Sequence, residues 1–263
     1  MGDSFGYKPF KDRKLVETKY FFINSINRDI GTNSDFTVYI PPNIISNNNN
    51  NSKKYLRVSL YSLTINYEWY NIMTGHNNSF EYYDGSSTTT ITIPDGSYSV
   101  YQLRDELTTL LSTYTVTYNL ITNKFTFTST DGTATITPTN CGSLLGLDDG
   151  TIYTGTFSSA YPVNMQYEST IYLNCDLASS AMNLDNINSE RTSTSTILDK
   201  IPISTAPFDN IIYFGTNPST IDIALNDAFL SSLRFWITTN RGRRLSDLKQ
   251  PWELCLTFQI YES

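Results

Sequence analysis

From Tyr20 onward the chain reads as a series of short runs with period two. Tyr20-Phe21-Phe22-Ile23 is a short apolar run, and turn chemistry around Gly31 follows it. Phe36, Val38 and Ile40 alternate with Thr37 and Tyr39, which predicts a half-buried strand closed by Pro41-Pro42. Residues 55–69 place Leu56, Val58 and Leu60 on one face and Tyr61, Leu63 and Ile65 on the other. The change of phase near Ser59 to Ser62 predicts a bend or bulge. Further strands are expected over 166–173, 197–203, 211–214 and 220–225. The clearest alternation comes last. Leu233, Phe235 and Ile237 alternate with Arg234, Trp236 and Thr238, and Trp252, Leu254, Leu256, Phe258 and Ile260 form one stripe of a final strand.

Residues 79–159 carry a different pattern. A Thr-rich strand over 88–93 ends at Pro94-Asp95-Gly96. Ser99 and Gln102 have the spacing of a capping box, and Val100, Leu103, Leu107, Leu110 and Leu111 fall on one helical stripe. Tyr114, Val116 and Tyr118, then Phe125 and Phe127, predict two strands after the helix. The order β-α-β-β reads as a small inserted α+β subdomain. Thr133 to Thr137 adds a further candidate strand, and Ser143 to Leu147 a short helical turn.

The expected class is therefore mainly β, a two-sheet antiparallel sandwich of Greek-key or jelly-roll type interrupted by the insert. The domain reading is an N-terminal arm over 1–18, a discontinuous sandwich over 19–78 and 160–263, and the insert over 79–159. The arm mixes Tyr7, Pro9 and Phe10 with Lys8, Lys11, Arg13 and Lys14. It suits strapping onto a neighbour, and a disordered terminus is its alternative. Residues 177–196 are polar and without period, long for an internal connection; they suit an interface loop in an assembled protein, with disorder in isolation as the alternative.

Composition sharpens this picture. The chain has 263 residues, of which 16% are charged and 14% aromatic, and its polar character comes from 29 Ser, 35 Thr and 25 Asn. Thr and aromatics suit pleated surfaces, and Ser and Asn suit turns. A net charge of −7 argues against nucleic-acid binding as the main task. No signal peptide is expected, because no cationic start is followed by an apolar h-region, and no transmembrane segment, because no apolar run reaches ~18 residues. Cys141, Cys175 and Cys255 are odd in number and widely spaced, which reads as free thiols in a reducing compartment.

The search for chemistry selects no catalytic set. His76, the only histidine, sits in a polar loop, and no G-x-S-x-G elbow, P-loop or GxGxxG is present. No zinc spacing exists. Asp148-Asp149-Gly150, and Asp185 with Asn183 and Glu190, are the only calcium-like clusters, and neither completes an EF-hand; the first reads as a turn. No cofactor and no metal is expected, and the chain reads as a non-enzyme. Arg241, Arg243 and Arg244 form the densest basic cluster, either a solvated turn or a contact for an acidic partner face or a phosphate. The sequons at Asn50 and Asn77 read as chance. A sandwich with an arm, long loops, many tyrosines and no catalytic set fits an interaction or assembly protein.

The order of several motifs resembles the penton (vertex minor capsid) proteins of virophages, Polinton-type viruses and related large DNA viruses. The resemblance is carried by Ile23-Asn24-Ser25 through Arg28-Asp29 and Ser34-Asp35-Phe36, by Leu60 to Ile65 with Trp69-Tyr70-Asn71-Ile72, by Ile93 to Ser99 and its helix, and by Leu233-Arg234-Phe235 with Pro251 to Leu254. It implies a single jelly roll with an outward-facing inserted domain and five copies at each icosahedral vertex. It also implies contact with a double-jelly-roll major capsid protein, and a place in the virion after assembly in the host cytoplasm or virus factory. It supplies no catalytic residues. Possible subunit contacts are then Tyr7, Phe10, Arg241, Arg243 and Arg244. The alternatives are a carbohydrate-binding or host-attachment module reaching a surface glycan through the insert, a trimeric minor capsid or cement protein, and an enzyme of the cupin or glycosidase type.

Overall fold

The computed structural model describes residues 13–41, 54–177, 196–216, 220–225, 230–246 and 248–262. Tyr7, Phe10 and most of the 177–196 loop lie outside these residues. In chain order the strands begin with β1 (Lys14–Asn24), β2 (Ile30–Thr32), β3 (Asp35–Tyr39) and β4 (Lys54–Asn66). Next come β5 (Ser79–Tyr83), β6 (Thr88–Thr92), the helix α1 (Val100–Leu110), β7 (Tyr114–Asn119), β8 (Lys124–Ser129) and β9 (Thr135–Pro138). A short helix α2 (Gly142–Leu145), β10 (Tyr153–Thr154) and β11 (Phe157–Ser158) follow. The last strands are β12 (Thr170–Cys175), β13 (Ile197–Pro202), β14 (Asn210–Phe214), β15 (Thr220–Leu225), β16 (Ser232–Thr239) and β17 (Glu253–Glu262). Among the described residues no helix is long and apolar enough to cross a membrane. The chain divides into two compact units, Met1–Glu68 with Glu168–Ser263, and Trp69–Tyr167.

The first unit contains two antiparallel sheets. One has the order β1-β17-β4-β14, with β15 also paired to β4, and the other the order β13-β12-β16-β3-β2. The alternation read from the sequence decides which side chains face inward. Leu233, Phe235 and Ile237 on β16, Phe36 and Val38 on β3, and Leu254, Leu256 and Phe258 on β17 are all buried. Trp252 is 2% exposed and meets Phe36 edge-on at 5.1 Å. It also donates from Nε1 to the Asn33 carbonyl at 2.6 Å, which satisfies its one polar atom.

Two features of this unit differ from the sequence expectation. The bulge near Ser59 to Ser62 is present: β17 pairs Leu256 with Leu60 and Cys255 with Ser62, leaving Tyr61 as the extra residue. Its consequence is the reverse of two opposed faces. One extra residue restores the phase, so Leu63 and Ile65 return to the core beside Leu56, Val58 and Leu60, and Tyr61 turns outward. Lys14 to Thr18, grouped with the arm for lack of a period, are the first half of β1 and pair with β17. All five are exposed, so backbone pairing and not a buried face makes this stretch a strand, and no hydrophobic period marks it.

The second unit also contains two sheets, of order β10-β9-β5-β6 and β11-β8-β7. The capping box forms as expected: the Gln102 amide donates to Ser99 Oγ at 3.3 Å and the Ser99 amide to Gln102 Oε1 at 2.8 Å. The stripe Leu103, Leu107 and Leu111 is fully buried against Phe80, Ile93, Phe125 and Phe127. The strands flanking the helix do not share a sheet, as a simple β-α-β-β unit suggests. β6 pairs with β5 through the tight turn at Gly85, while β7 and β8 form their own hairpin. Ile72 and Val163, outside the 79–159 drawn from the pattern, belong to this core.

Candidate functional site

The arginine turn is the one basic cluster that the sequence singled out. It follows β16, with Gly242 at φ 78 and the Thr239 amide donating to the Arg243 carbonyl at 2.8 Å. The turn does not present three equivalent cations. Arg243 reaches Glu168 with both arms of its fork, Nε to Oε1 at 3.1 Å and Nη2 to Oε2 at 2.9 Å. Glu168 is 2% exposed, so this pair is removed from water and commits Arg243 within its own chain. It also bears on Tyr67, whose hydroxyl pKa is raised by burial and by the Glu168 charge, with Arg243 opposing. Arg244 pairs with Asp35, which also takes two hydrogen bonds from Arg234, at 2.8 and 2.6 Å. The Arg234 hydrogen bond is the main reason that the Asp35 carboxyl lies below its ordinary range. Both guanidinium groups sit near the Trp236 ring, at 5.6 and 5.5 Å from its centre. The side chains of Arg241 and Arg244 stay at the surface.

The remaining candidates are structural. His76 is exposed in its loop, where its carbonyl accepts from the Tyr167 hydroxyl at 3.3 Å. Asn77 is fully buried and donates to the Asn71 carbonyl at 2.7 Å, so the sequon there offers no free amide. Asp149 accepts from the Gly142 amide at 2.8 Å and Gly150 takes φ 75, which makes Asp148-Asp149-Gly150 a turn. The other acidic cluster, Asn183, Asp185 and Glu190, and the sequon at Asn50 lie outside the described residues. The cysteines are buried and unbridged. Burial pushes the Cys141 thiol up to about 12 and raises Cys175 and Cys255 as well. Among the described residues no group of three or more metal-binding side chains gathers.

What the sequence reading missed is an apolar outer face on the sheet β1-β17-β4-β14. Phe22 pairs across with Cys255, Cys255 with Ser62, and Ser62 with Phe214, so these four residues form one outward row. Phe22 is 78% exposed, Phe214 63% and Ile212 60%. Tyr20 and the bulged Tyr61 extend the patch, their rings 5.3 Å apart and edge-on. The small residues Ser62, Thr64 and Cys255 floor a groove of about 290 Å³ between Phe22, Asn24 and Glu253. The signal was present in Tyr20-Phe21-Phe22-Ile23 and Ile211-Ile212-Tyr213-Phe214. Four consecutive apolar residues in a strand must be apolar on both faces. In the other unit, a groove of about 410 Å³ runs beside α1, lined by Tyr98, Gln102, Asp105, Glu106 and Thr109 among others.

The chain thus combines a unit of two antiparallel sheets, one with an apolar outer face, and a second unit that lies between β4 and β12 in the sequence. In a comparison with solved structures the chain is similar to the penton protein of mavirus, seen in its selenomethionine crystal form, with a TM-score of 0.53. The match covers 92% of this chain and 99% of that one at 11% sequence identity, so it is a likeness of fold. The resemblance read from motif order is thus present in three dimensions. No family model matches the sequence, and no curated protein does.

Proposed function

We propose that the chain is a structural capsid protein of the penton class, five copies of which close an icosahedral vertex in the virion. The observation that carries this reading is the fold likeness to a penton protein along nearly the whole of both chains. The strand order supports it. β1-β17-β4-β14 against β13-β12-β16-β3 sets the first strand beside the last and nests the strands between, the order of a single eight-strand jelly roll. The unit Trp69–Tyr167 then reads as an inserted domain between β4 and β12. On this reading the protein is not an enzyme. Its partners are further copies of itself and a double-jelly-roll major capsid protein, and its assembly takes place in the host cytoplasm or virus factory.

A second reading, in which the inserted unit binds a host-surface glycan, is favoured by the groove beside α1, where Tyr98 lies with the carboxylates of Asp105 and Glu106. It is compatible with the first, as an attachment function on a vertex protein. The first reading is tested by coexpressing the chain with a double-jelly-roll major capsid protein and imaging the particles. Density for this chain at the fivefold positions alone is expected. Its absence from particles, or its presence at threefold positions as a cement protein, contradicts the reading. A glycan array probed with the whole protein tests the second, and loss of any signal on Tyr98→Ala is its expected mark.

A further inference from the structure

Resting on the reading that copies of this chain close a ring, we propose which face closes it. The outer face of β1-β17-β4-β14 receives the next copy, and that copy presents the outer face of its sheet β13-β12-β16-β3. The first observation is area. At roughly 200 Å² per large side chain, the exposed fractions of Tyr20, Phe22, Tyr61, Ile212 and Phe214 leave about 600 Å² of apolar surface together. That is at the upper end for any patch on a monomer, and approaches the ~800 Å² that each partner contributes to a stable interface. The second is shape. The patch crosses four strands in register and holds a groove floored by small residues between Phe22, Asn24 and Glu253, the form that anchors a protruding side chain.

The third observation selects the occupant. The two sheets of one sandwich turn their outer faces in opposite directions. Stacking one kind of face on the other is therefore a head-to-tail contact, which generates a ring when its rotation closes. The sheet β13-β12-β16-β3 has the complementary character. Arg234 and Arg244 lie beside the Trp236 ring and both reach Asp35, Asp176 lies against Arg234, and the Lys200 cation and the Tyr39 ring are exposed on the same sheet. Glu253 is the exposed carboxylate beside the apolar groove.

The test compares wild type, the double variant Phe22→Asp with Phe214→Asp, and the control Ile121→Asp by mass photometry. Ile121 is 95% exposed in the other unit. Far-UV circular dichroism and the melting temperature establish that each variant is folded. Rings are expected for wild type and I121D, and monomers for F22D/F214D, with the dissociation constant raised at least ~100-fold. Rings that survive in F22D/F214D overturn the face assignment and leave the ring reading standing. A wild type that is monomeric at every concentration overturns both. Mixing F22C/C255S with Y39C/C255S under mild oxidation tests orientation, with Cys255 removed because it lies across from position 22. A mixed disulfide dimer is expected, and F22C linking only to itself overturns the head-to-tail contact.

Discussion

Replacing Arg243 with alanine removes the partner of a carboxylate that is 2% exposed. The bidentate pair brings Nε and Nη2 to 3.1 and 2.9 Å from the two oxygens, and the Arg243 side chain is itself only 17% exposed. Exposed ion pairs are worth ~0–1 kcal/mol, whereas stripping one partner from a buried pair costs ~3–5 kcal/mol, because the remaining charge is left unsolvated. Burial of Glu168 puts this pair in the second group. With a urea m-value of ~2–3 kcal/mol/M, Arg243→Ala lowers the unfolding midpoint of the first unit by about 1–2.5 M. Tryptophan fluorescence reports on it, since Trp236 and Trp252 lie in that unit. The same substitution paired with Glu168→Met recovers most of the loss, because no buried charge then remains. A midpoint lowered by less than ~0.4 M, or a double variant no better than the single, refutes the reasoning: the pair is then solvated, and Arg243 is free to meet a partner.

Other residues give equally direct tests. Gly31 sits at φ 101 with the Asp35 carbonyl 2.1 Å from where a Cβ would lie, so Gly31→Ala costs more than ~2 kcal/mol in urea unfolding. A loss under ~0.5 kcal/mol shows that the β2–β3 turn relaxes. Asp35 has a lowered folded pKa, so it contributes stability above its unfolded value of ~3.9 that is lost as pH falls through the folded value. Asp35→Asn flattens the acid side of the stability profile below about pH 4 and leaves its neutral slope unchanged; an unaltered acid limb contradicts this. The Cys141 and Cys175 thiols, buried in the two cores and raised in pKa, react with Ellman's reagent at least ~100-fold more slowly in native protein than in urea, and rapid native labelling of either shows an opening at that site.

Local chemistry was the legible part of this molecule. The Ser99–Gln102 cap, the Leu103-Leu107-Leu111 stripe and the β16 and β17 alternations each depend on residues a few positions apart, and each was readable. The bulge in β4 was readable as a break of phase, but not its direction, because only pairing with β17 shows that Tyr61 is the extra residue. The arginine turn was visible as charge, whereas its partners, Glu168 and Asp35, are 75 and 209 positions away from Arg243 and Arg244. No local pattern marks a contact of that range. β1 escaped in its first half for the opposite reason: its partner is the last strand, and nothing buried its side chains. The outer apolar face lay in plain view at Phe22 and Ile212 to Phe214. It became a surface only when the register set four strands side by side.

The central claim is that copies of this chain associate as a closed fivefold ring. Native mass spectrometry of the purified wild-type protein counts the chains directly, each weighing 29.8 kDa. The account predicts a dominant species of five chains, which dissociates to monomer in F22D/F214D. A stable monomer, or a species of three chains, contradicts it.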